Sequence, residues 1–102
     1  MTVHAVILSL LSGIEDTHTR LEVARTIHFL HEVYKTGKAP ESEIRKSLFE
    51  IALTVIKYKE PMITDEEAKE EASKWADRLM AEFKMESMFN VFSRKTSLPE
   101  FG

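Results

Sequence analysis

Four groupings of side chains in this sequence have the residue types needed for chemistry, and their spacing decides what each can do. His28, His31 and Glu32 lie three and four positions apart, so on a helix they share a face, and neutral imidazoles suit zinc. Their order is His-x-x-His-Glu, however, not the His-Glu-x-x-His that brings two ligands and a base together, and no third strong ligand lies nearby. His31 borders an apolar stripe and reads as a partly buried, hydrogen-bonded histidine; His28 is expected to face solvent. Ser12, Asp16 and His18 include the residues of a hydrolytic triad, but no Gly-x-Ser-x-Gly turn accompanies them. Asp16, Thr17 and Thr19 instead suit the start of a helix. Glu41 with Glu43, and Glu66, Glu67, Glu70 with Glu71, stand at the beginnings of predicted helices, where negative charge offsets the backbone dipole. The sequence therefore assigns no catalytic residue, cofactor or metal.

The strongest functional signal is apolar. Met85, Met88, Phe89 and Phe92 recur at helical spacing, and Met and Phe are adaptable groups enriched at partner surfaces. If the preceding helix stays straight, this stripe points roughly opposite to the Leu79–Phe83 face, so the chain must bend or something must cover it. The expectation is an interface at Met85, Met88, Phe89 and Phe92. A weaker signal is basic: Lys84, Arg94 and Lys95 offer a contact to nucleic acid. The segment around Thr36-Gly37-Lys38-Ala39-Pro40 also resembles the turn of a helix-turn-helix, but the helix after it is too apolar to lie in a groove.

The elements that would position these residues follow from periodicity. Val3, Val6, Ile7, Leu10 and Leu11 form one stripe, closed by Gly13, and predict a helix over 3–12. Thr19-x-x-Glu22 reads as a capping box before Val23, Ile27, Leu30 and Tyr34, predicting a helix over 20–35 that Gly37 ends. Pro40 opens a third helix over 41–59, whose broad apolar set makes it the expected central one. Thr64 to Glu67 is a second box, before a helix over 65–84 with Ala68, Ala72, Ala76, Leu79 and Phe83 on one face. A fifth helix is expected over 86–93, and 94–102 reads as a loosely ordered tail.

Composition agrees with this reading. A 102-residue chain with 43% hydrophobic and 30% charged residues fits a single packed domain, placed at 1–93. Net charge is −3, so long-range attraction to a polyanion gets no help from the overall field. The chain has no cysteine, which excludes disulfides and thiolate chemistry and agrees with a reducing cytoplasm. The N-terminal apolar run lacks a preceding Lys or Arg and is too short to span a bilayer, so an unprocessed soluble protein is expected. The absence of glutamine beside many Lys and Glu points to a thermophilic source.

The sequence thus predicts an all-α compact bundle of four to five short antiparallel amphipathic helices, with an open leaf similar in architecture to saposins as the alternative. Its expected role is a non-enzymatic interaction module that binds itself or another protein. The alternatives are a nucleic-acid-associated protein using the basic residues and a carrier of lipid or another hydrophobic ligand.

Overall fold

The computed structural model describes residues 2–97, with side chains as far as Met88. Four helices follow one another: α1 Val3–Leu10, α2 Thr17–Thr36, α3 Glu41–Lys59 and α4 Asp65–Ser97. Each begins where a local signal satisfies the free N–H groups of its first turn or favours its dipole. Thr2 accepts from the Ala5 N–H at 3.1 Å at the head of α1, and Thr64 accepts from the Glu67 N–H at 3.2 Å at the head of α4. Pro40 precedes α3, whose first turn carries Glu41 and Glu43 and whose last turn carries Lys57 and Lys59.

The start of α2 differs from the Thr19–Glu22 capping box that the sequence suggests. Asp16 is the cap; its carboxylate accepts from the Thr19 N–H at 3.2 Å and also from the Thr19 hydroxyl. Thr19 therefore lies inside the helix as a partner of the cap. At the other end Gly37 takes the left-handed conformation, φ 69°, that closes a helix and that a side chain disfavours. α1 stops at Leu10, short of the expected Ser12, because the chain enters a turn through Gly13 at φ 93°. Two cations satisfy the carbonyls exposed there. Lys59 Nζ donates to Leu10 O at 2.8 Å and Ser12 O at 3.2 Å, and an Arg20 Nη1 donates to Leu11 O at 3.2 Å and Ile14 O at 3.0 Å.

The largest departure from expectation is that no separate helix occupies 86–93. α4 runs unbroken through Lys84 and Met85 to Ser97, into the stretch read as a tail; residues 98–102 lie outside the described residues. A change of phase in the apolar pattern is not itself a breaker, and no Gly or Pro occurs between Asp65 and Ser97. α4 rather than α3 is also the helix around which the others gather, since it lies along α3 and packs against α1 and α2 as well.

The core has two joined parts. Val3, Val6, Ile7 and Leu10 of α1 meet Ile27 of α2, Ile44 and Leu48 of α3, and Leu79 and Phe83 of α4. Further along, Ala52 and Ile56 meet Ala68 and Ala72, small side chains that let α3 and α4 approach closely. Arg45 ties the same pair together, its Nε donating to Asp77 and an Nη to the Ser73 hydroxyl, each at 2.9 Å.

α2 is held least. Only Ile27 and His31 of its side chains are buried, while Val23, Leu30, Val33 and Tyr34 are half-buried. A Cβ at Gly37 would meet nothing within 4 Å, so backbone conformation alone resists substitution there. Replacing Gly37 by Ala is expected to lower stability by about 1 kcal/mol with helix content unchanged. Urea unfolding followed by circular dichroism checks this, and an unchanged midpoint would contradict the assigned closure of α2.

Candidate functional site

The inner face of α4 is marked by Ala68, Ala72, Ala76, Leu79 and Phe83, all fully buried. Two contacts fix the rotation of the helix at its last core turn. The Phe83 ring stacks on His31 of α2, with centroids 4.6 Å apart and planes 22° from parallel, and Tyr34 lies tilted against it at 5.8 Å. One turn on, a Glu86 carboxylate oxygen accepts from the Val3 N–H at 3.0 Å, placing negative charge at the positive end of α1.

With Phe83 and Glu86 turned inward, Met85 and Met88 are carried to the outer side of the helix. At about 100° per residue, Met85 and Met88 lie on the order of 150° from Phe83 around the helix. Met85 is 58% exposed and Met88 72% exposed. Both belong to the stripe that the sequence picks out. Its other members, Phe89 and Phe92, lie outside the described side chains, as do Arg94 and Lys95 of the basic group. Lys84, the third basic residue, pairs with Glu41 of α3 at 3.2 Å on the surface.

The histidines do not assemble a metal centre. His31 is buried, at 8% exposed, but its Nε2 meets no hydrogen-bond partner among the described residues, contrary to the hydrogen-bonded histidine expected. Its partner is the face of Phe83. His28 is exposed and stacks on His4 of α1 at 5.8 Å. Among the described residues no three His, Asp or Glu side chains converge to hold a metal ion. Nor do Ser12, Asp16 and His18 form a triad: Asp16 is engaged with Thr19, and no side-chain to side-chain hydrogen bond joins the three.

A second feature has no counterpart in the sequence reading. α2 and α3 diverge around an open groove of about 510 Å³, with Val23, Phe29 and Leu30 on one wall and Ile51 and Val55 on the other. Thr26 and Thr54 also line it, but each hydroxyl is already spent on a carbonyl of the preceding turn, Glu22 O and Glu50 O, both at 2.9 Å. Glu22 and Glu50 stand on its rim. Phe29 is 65% exposed. The available signal was Phe29 with Val33, four residues apart and about a quarter-turn from the main α2 stripe.

Among the described residues no helix is long and apolar enough to cross a membrane. The apolar surfaces at Met85–Met88 and in the α2–α3 groove therefore belong to a chain without a bilayer-spanning helix in its described part.

Burial holds the His31 imidazole below its ordinary value of 6.5. Lys35 and His28 push the same way, and Glu86 and Glu32 oppose them. A neutral buried imidazole competes with an unfolded chain that takes up a proton, so its contribution is complete above 6.5 and is lost as pH falls from there through the folded value. The lowered carboxylates of Asp16, Glu32 and Asp65 act only in a more acidic window, below their ordinary values of 3.8 to 4.5. Urea unfolding between about pH 7.5 and 5 is expected to lose stability with falling pH, and His31→Phe to flatten that part of the profile. An identical slope in the two proteins would contradict the assignment to His31.

Comparison with protein-family models, with curated proteins and with solved structures finds no match to this chain.

Proposed function

We propose that this protein is a non-enzymatic interaction module that associates with a second copy of itself through the outward apolar face at 85–92. The observation that carries the reading is the exposure of Met85 and Met88 on a continuous α4 whose opposite face is already committed to the core. Covering a Met or Phe side chain is worth about 1.5–3 kcal/mol, and the stripe places two of each within eight residues. Contiguous apolar surface of this kind marks interaction sites.

A second reading has one observation in its favour. The apolar α2–α3 groove has a volume suited to a small hydrophobic ligand, as the carrier alternative requires.

Light scattering tests the main reading. The wild type is expected to show a mass above the 11.8 kDa of one chain at micromolar concentration. Met88→Asp combined with Phe89→Asp is expected to weaken association by more than about tenfold with helix content unchanged. A monomer in both proteins would overturn self-association.

A further inference from the structure

We propose that the α2–α3 groove is the seat for the 85–92 stripe of a second copy, so that two chains exchange the ends of their α4 helices. This deepens the self-association reading and rests on it: the stripe is the plug and the groove its socket.

Spacing is the first argument. Met85, Met88, Phe89 and Phe92 stand at positions i, i+3, i+4 and i+7, the anchor pattern by which an amphipathic helix lays its apolar face into a groove between two others. The groove offers such walls, with Val23, Phe29 and Leu30 facing Ile51 and Val55, and with the Thr26 and Thr54 hydroxyls already satisfied. Within one chain each surface lacks cover: Met85 and Met88 are exposed on α4, and Phe29 is exposed on α2.

Charge is the second argument. Glu22 and Glu50 stand on the groove rim, and among the described residues neither carboxylate is in an ion pair. The stripe is bounded in sequence by Lys84 before it and by Arg94 and Lys95 after it. The one acid within that span, Glu86, is occupied at the head of α1 of its own chain. The Lys84–Glu41 pair is a surface contact of small worth, so Lys84 can exchange it for a rim carboxylate at little cost. An acidic rim thus meets a segment with basic ends.

Reach and closure complete the case. The 33 residues of α4 span about 50 Å, against about 30 Å for α2. Among the described side chains the last buried in the core is Phe83, and α4 continues for fourteen more residues beyond it, on the order of 20 Å. Each chain carries one stripe and one groove. Reciprocal insertion satisfies both in a closed two-fold pair, whereas one-way insertion leaves one of each open and propagates.

The absence of cysteine permits a direct test in the full-length protein. Single-site Met88→Cys and Thr26→Cys variants are mixed and treated with a short thiol-to-thiol cross-linker, and light scattering is measured on Phe29→Asp and on Glu22→Lys with Glu50→Lys. The expected result is a cross-linked Met88→Cys/Thr26→Cys pair, with association at least tenfold weaker in both groove variants. Both change exposed positions, and thermal melts verify that they fold. Met88→Cys cross-linking to itself, with association unaffected by the groove variants, overturns the groove assignment and leaves self-association standing. A monomeric wild type overturns both. A monomer that carries a co-purified apolar molecule in native mass spectra, lost in Phe29→Asp, overturns both and gives the groove to a small ligand.

Discussion

An α-helix without a breaker keeps its phase, and that constraint governs the molecule. α4 places its first apolar set, Ala68 to Phe83, on one side and its second, beginning at Met85, on nearly the opposite side. A single chain with no Gly or Pro in that helix cannot fold both sets onto one core. The first set is taken by α1, α2 and α3. Of the second, Met85 and Met88 are left exposed, and the proposed function grows from that remainder.

Polar contacts reinforce the choice. Glu86 could in principle swing outward with the rest of its turn, but its bond to the Val3 N–H ties it to the start of α1, while Lys59 and Arg20 hold the carbonyls at the other end. α1 is thereby fixed at both ends by charged groups from the other three helices, and its buried face of Val3, Val6, Ile7 and Leu10 makes it the most thoroughly enclosed element. α2 is the reverse. It is fastened by Ile27 and by the stack of His31 on Phe83, and its flank at Phe29 opens onto the groove. A firmly held spine beside a lightly held helix is an arrangement in which a groove can adjust to a guest without disturbing the core.

Much of this was legible in the residues. Pro40 with Glu41, and Thr64 with Glu67, mark the starts of α3 and α4 because capping is local chemistry. The phase conflict at Met85 was legible as well, since it depends only on spacing. The break inferred from it was not real, because a pattern shift without Gly or Pro supplies no reason for the backbone to stop. The Thr19–Glu22 box misled for a related reason: Asp16 stands three residues before Thr19 and takes the same N–H, with the Thr19 hydroxyl as a second donor to its carboxylate. The lack of a hydrogen bond at His31 Nε2 was beyond reach of the sequence, since it depends on how α2 leans against α4, distant in the chain, and of the α2–α3 groove only the off-stripe Phe29 gave a local sign.

The central claim is that α4 remains one helix past Lys84 and that its outward face is covered by association and not by the chain itself. Amide hydrogen exchange across residues 79–92, measured over a range of protein concentrations, tests it most directly. Protection at 79–83 is expected to be independent of concentration, while protection at 85–92 rises as the protein is concentrated. Strong protection at 85–92 that persists unchanged on dilution would show that the chain covers its own stripe and would contradict the account.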